Sequence, residues 1–71
     1  MKKEIEDILR ADCSDNVMKM TGALADGNFD RFDVFYERYQ SDLEMLKRRD
    51  AVIPLQMDRV VSQMYALRYK K

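Results

Sequence analysis

Between residues 29 and 46 the side chains Phe29, Phe32, Tyr36, Tyr39, Leu43 and Leu46 recur at intervals of three and four without an exception. That is the period of one face of an α-helix, so this stretch predicts a helix of about 20 residues. The same count carried forward reaches Asp50, Ile53, Met57, Val60, Met64 and Leu67, so one heptad frame covers positions 29–67 with a single charged intruder. Asp50 stands four residues before Pro54, the only proline of the chain. A proline inside a helix costs about 3 kcal/mol, and the residue before it avoids the helical region. A turn at Asp50–Ile53, with Pro54 in the first turn of a further helix, therefore fits better than one kinked rod, and the two stripes then face each other as a hairpin. On this reading Phe32, Tyr36, Tyr39, Leu43, Leu46, Ile53, Met57, Val60, Met64 and Leu67 form the core.

Upstream, Ile5, Ile8 and Leu9 have helical spacing, with acids near the start where the helix dipole favours them. Ser14, Asp15 and Asn16 are three consecutive N-cap residue types, after which Val17, Met20, Thr21 and Leu24 resume the period. This predicts a break between two short helices. Gly27, between Asp26 and Asn28, suits the left-handed residue that closes a helix. Neither alternating β-branched runs nor a hairpin dipeptide occurs. The expected fold is thus all-α, one domain over residues 1–71, with two short N-terminal helices packed on a long antiparallel helical hairpin, three to four helices in all.

The residue inventory argues against an enzyme. With no histidine, a serine or cysteine nucleophile lacks its commonest base, and two glycines cannot build a phosphate loop. One cysteine makes neither an intramolecular disulfide nor a zinc site; Cys13 reads as a small, partly buried hydrophobe near a helix end. Asp26, Asn28, Asp30 and Glu37 fall at positions 1, 3, 5 and 12 of a calcium loop, but Arg31 stands where that loop needs glycine and Asp33 where it needs an apolar residue. Asn28 or Asp30 reads better as an N-cap. No catalytic residue, cofactor or metal is expected. No apolar run approaches the roughly 18 residues of a membrane span. Glu4, Glu6 and Asp7 occupy the place of a secretory signal's apolar stretch, so the expected compartment is cytoplasmic.

Basic and acidic residues balance at 13 each, yet residues 1–33 carry 5 basic and 8 acidic groups and residues 34–71 carry 8 and 5. The halves attract. Lys47, Arg48, Arg49, Arg68, Lys70 and Lys71 make the second half basic and suggest a transcription-associated protein touching DNA directly. A neutral chain with pI near 6.2 favours that reading less than protein binding. In the heptad frame Val34, Met45, Leu55, Tyr65 and Tyr69 occupy positions normally polar on a two-helix seam. With Arg48, Arg49 and Arg59 as a charged rim, they are the expected partner-binding residues. The function that follows is a small non-enzymatic regulator or adaptor that binds another protein, with homodimerisation as one way to build the face.

Overall fold

A computed structural model describes residues 2–69. Lys70 and Lys71, on which the DNA reading leans, lie outside them. The chain forms three helices, α1 (Lys2–Ala25), α2 (Phe29–Arg48) and α3 (Leu55–Arg68), with no strand among the described residues. The chain reverses between α2 and α3 as the hairpin requires, but the closest backbone packing is between α1 and α2 and not between the two hairpin arms. The predicted break near Ser14 is absent, and α1 runs unbroken for 24 residues.

The reason lies in where the three cap-type side chains find partners. Asp15 pairs with Lys19 one turn on (2.9 Å), Ser14 is half-buried, and the amide of Asn16 donates to Asp12 (3.3 Å) and to Asp42 of α2 (3.4 Å). Side chains that cap helices elsewhere do so by accepting from nearby backbone N–H groups; here the Asp15 carboxylate takes Lys19 instead, the Asn16 amide is turned toward two carboxylates, and the backbone ladder continues. Cys13 consequently sits in mid-helix and is fully buried, not partly buried near an end.

Both turns are built alike. After α1, the Asn28 N–H donates to the Ala23 carbonyl (2.9 Å) and the Gly27 N–H to that of Leu24 (3.1 Å), with Gly27 at φ 72. After α2, the Ala51 N–H donates to Leu46 (3.0 Å) and the Asp50 N–H to Lys47 (3.1 Å), with Asp50 at φ 53. Each is a Schellman closure, which satisfies carbonyls the helix end would leave unpaired. Asp50, the intruder in the stripe, is therefore the left-handed stop. Asn28 caps α2, its Oδ1 accepting from the Arg31 N–H (3.2 Å), so residues 30–37 are helical and not a calcium loop.

α1 and α2 run antiparallel in close backbone contact. Tyr39 reaches Asp58 and Asp33 reaches Tyr69, which sets α3 antiparallel to α2; Arg10 reaches the Val52 carbonyl and Thr21 reaches Met64, which sets α3 parallel to α1. The result is an up–down–up bundle 42 Å long. Its core holds Leu9, Cys13, Met20 and Ala23 of α1, Phe32, Phe35, Tyr39, Leu43 and Leu46 of α2, and Val61 and Met64 of α3. Of the expected core, Tyr36, Ile53 and Met57 are half-buried, while Val60 and Leu67 are 43% and 61% exposed. The heptad phase fails at the turn because a helix that stops and restarts does not inherit its predecessor's rotation. α3 instead lodges Val61 and Met64 between two neighbours.

Candidate interaction surfaces

Three helices leave one seam between α2 and α3 and two open flanks of α1, and the exposed apolar side chains distribute among them. The seam is aromatic. Tyr36 stacks on Phe32 (centroids 6.2 Å) and meets Tyr65 (4.9 Å), which in turn meets Tyr69 (4.6 Å). At its end the Arg68 guanidinium bonds Asp33 (3.1 Å) between the rings of Phe29 (4.7 Å) and Tyr69 (4.5 Å), and the Tyr69 hydroxyl donates to Asp33 (3.0 Å). That hydrogen bond to a carboxylate holds the Tyr69 hydroxyl above the usual tyrosine range. Tyr65 and Tyr69 are thus already engaged on one side, although each keeps an exposed edge.

Val34 and Met45 lie elsewhere. Two and nine residues from Tyr36, they point about 160–180° away from it around α2, at 100° per residue. This is the open flank of the α1–α2 pair, which also carries Ile5 and Ile8, and all four side chains are exposed. Leu55 and Arg59, one turn apart at the start of α3, are exposed on a third side. Arg48 is held by Glu44 (2.9 Å), and Arg49 provides the C-cap of α2. The expected partner-binding residues are therefore all exposed, but they are dispersed over several sides and make no single patch.

Two features of the α1–α2 flank were not visible as sites in the sequence. Toward the 26–28 turn, Lys19, Arg31 and Arg38 converge on the Phe35 ring, each 5.5–5.7 Å from its centroid. Lys19 and Arg31, with Asp26, border a hollow of about 270 Å³ whose floor includes Gly22, Ala23 and Phe35. Toward the other end, Asp12, Asp15 and Asp42 surround a broader hollow with Ile8. Burial in the first place, and then the neighbouring Asp12, push the Asp42 carboxyl up to about 6. The two ends of one flank thus carry opposite charge. The signal was present as i, i+4 and i+3 spacings, Ile8–Asp12–Asp15–Lys19–Gly22 on α1 and Arg31–Val34–Arg38–Asp42–Met45 on α2, but it reads as an ordinary solvated face until the two stripes are set side by side.

The other flank, between α1 and α3, carries the Arg10–Asp7 pair at its Val52 end and uncharged side chains along its middle. Met18 lies one turn from Thr21, which contacts Met64 (3.4 Å), and Val60 and Leu67 lie one turn either side of Met64. Ser14 and Ala25 on α1 and Gln56 and Gln63 on α3 continue this uncharged surface by the same periodicity, in a chain where 37% of residues are charged. Among the described residues no three acidic or thiol groups converge as metal ligands, and no helix is long and apolar enough to cross a membrane. No protein-family model, curated protein or solved structure matches the chain.

Proposed function

We propose that this chain is a small non-enzymatic regulator or adaptor that works by binding another protein through exposed apolar helix surface with arginine and lysine at its margins. One observation carries the reading. Among the described residues twelve large hydrophobic side chains remain exposed, against eleven hydrophobic residues in the core. The chain exposes 5309 Å², whereas a compact monomer of 8.5 kDa has about 4,700 Å². Scattered apolar residues are ordinary on any surface, but apolar residues gathered on an uncharged strip mark a contact site.

The uncharged middle of the α1–α3 flank, with Met18, Val60 and Leu67, is the partner face on this reading, and Arg59 supplies steering charge beside it. Val34, Met45, Leu55, Tyr65 and Tyr69 extend the apolar surface around the bundle. Capture from the source organism's lysate with the wild-type chain and with Leu67→Asp as baits tests the proposal. A protein held by the wild type through half-molar salt and lost with the variant supports it. Captured material that elutes steeply with salt and disappears after nuclease treatment refutes it in favour of direct DNA contact, since phosphate contacts lose affinity with salt far faster than apolar ones.

A further inference from the structure

We propose that a second copy of this chain docks on the open α1–α2 flank, related by a two-fold axis that lies in the interface across the helices. The inference rests on the reading of the chain as an interaction protein, but it concerns a different face from the α1–α3 strip.

The observations are the charge layout and the positions of the exposed apolar residues on this flank. At one end three cations crowd a single ring, and of these only Lys19 has an ion pair among the described residues. At the other end the Asp12 and Asp42 carboxylates share the amide of Asn16, which is 3% exposed, and neither has an ion pair among the described residues. The basic end also holds Asp26, and Arg49 continues the α2 stripe at the acidic end, but each end keeps an excess of one sign that the other end's excess would offset. Carboxylates placed side by side and cations placed side by side are both unfavourable alone, and both are relieved by the opposite patch.

With their helices aligned, two identical faces can meet about a two-fold axis in only two ways. An axis along the helices sets basic end on basic end and acidic end on acidic end, which repels. An axis across the helices reverses one copy. It brings α1 over α1 and α2 over α2, each antiparallel, with the centre near residues 15–16 of α1 and near residue 40 of α2. These centres lie at about one level of the monomer, because Asn16 bonds Asp42 and Lys19, one turn further along α1, lies over Phe35, which sets residues 15–16 near residues 40–42.

The second arrangement then makes its pairs without adjustment of register. On α1, Lys19 falls opposite the partner's Asp12. On α2, Arg38 falls opposite the partner's Asp42. Val34 meets the partner's Met45, both half-exposed in the monomer. Ile8, 67% exposed, arrives at the level of the partner's Gly22, where a Cβ would meet nothing within 4 Å and the hollow beside Ala23 and Phe35 is open. Asp15, on the axis, is already paired with its own Lys19. The charge pairs and the apolar pairs are separate sets of residues, and both select the same centre, with Arg31 and the partner's Arg49 the one like-charge pair it brings to a common level on α2.

Sedimentation equilibrium of the purified chain over micromolar to millimolar concentration tests this, with helicity followed by circular dichroism. The wild type should reach twice the 8.5 kDa chain mass and dissociate more readily as salt rises. Arg38→Asp and Asp42→Arg should each weaken the dimer by about tenfold or more, and the double exchange, which restores the pair in reverse, should recover most of the affinity. Ile8→Glu, at a position too exposed to disturb folding, should also abolish the dimer at unchanged helicity. A chain that stays monomeric at millimolar concentration overturns the inference, as does a dimer indifferent to Ile8→Glu or a charge exchange that fails to restore it. Because no other protein is present, a monomer leaves the α1–α3 partner face untouched, whereas loss of lysate capture with Leu67→Asp leaves the dimer untouched.

Discussion

Gly27 and Asp50 hold the same place in the same closure, so exchanging their chemistry should move stability in opposite directions. Gly27 stands at φ 72 and a Cβ built there meets nothing within 4 Å, so the cost of Gly27→Ala is conformational and not steric. An L-residue in the left-handed region costs about 1–2 kcal/mol. Replacing glycine also narrows the unfolded ensemble, which returns about 0.4–1 kcal/mol. The net loss is about 0.5–1.5 kcal/mol, and at about 4–8 °C per kcal/mol for a domain of this size the melting temperature should fall by roughly 2–12 °C. Asp50 at φ 53 pays part of that cost already, less than alanine would, because aspartate tolerates this region better than most residues. Asp50→Gly should therefore raise the midpoint by a few degrees, while Asp50→Val, with its branched Cβ, should lower it by more than Gly27→Ala does. Thermal unfolding followed by circular dichroism at one pH and one dilute concentration measures all three. A fall with Asp50→Gly, or equal shifts at both positions, would show that left-handed strain does not govern these turns.

The acidic end predicts a pH dependence. Asp42 is held up to about 6 by burial and by Asp12, against an ordinary value of 3.8; the folded dilute chain therefore binds this proton more tightly than the unfolded one, and its contribution to stability falls as pH rises from about 4 to 6 and is level above. The loss is below about 3 kcal/mol for this half-buried group, and denaturation midpoints at pH 4.5 and 7.5 should show Asp42→Asn flattening the difference, with an unaltered slope counting against it. Cys13 is fully buried, and burial first, then Asp42 and Asp12, push its thiol up to about 11. A disulfide reagent at pH 8 should label it slowly in the folded chain and at once in denaturant, so rapid native labelling would remove Cys13 from the core. Leu46→Ala, at a fully buried position, should cost about 2–5 kcal/mol. Leu67→Ala should stay within about 0.5 kcal/mol, and equal melting temperatures would refute the phase of α3.

The parts of this fold legible in the sequence are those decided within a turn or two of the residues concerned. The α2 stripe is one, because Phe32, Tyr39, Leu43 and Leu46 need only their own periodicity to define a buried face, and Gly27 is another, because its neighbours and its missing side chain mark a helix stop. The misreadings share a cause of the opposite kind. Ser14, Asp15 and Asn16 look like a cap locally, and what keeps α1 continuous includes Asp42, 26 residues beyond Asn16, which accepts from the Asn16 amide and holds that side chain against α2. The heptad phase puts Val60 and Leu67 in the core, but that phase does not pass through a left-handed residue. Val61 is buried instead because Tyr39, Tyr36 and Asp33 on α2 and Thr21 on α1 fix the rotation of α3 from outside.

The same division explains which surface features escaped. Val34 and Met45 stood out because an apolar residue at a polar heptad position is a local anomaly. Lys19, Arg38, Asp12 and Asp42 did not, because charges at helical spacing are what any exposed helix displays. Their arrangement acquires meaning only when α1 and α2 are laid antiparallel, which brings like charges from two helices together at each end of one flank. A helix pair that merely needed solubility would be better served by opposite charges across the seam, which stabilise it, than by like charges, which cost stability. The segregation is unfavourable within one chain and favourable between two reversed chains, and that asymmetry connects the charge pattern to a second copy of the molecule.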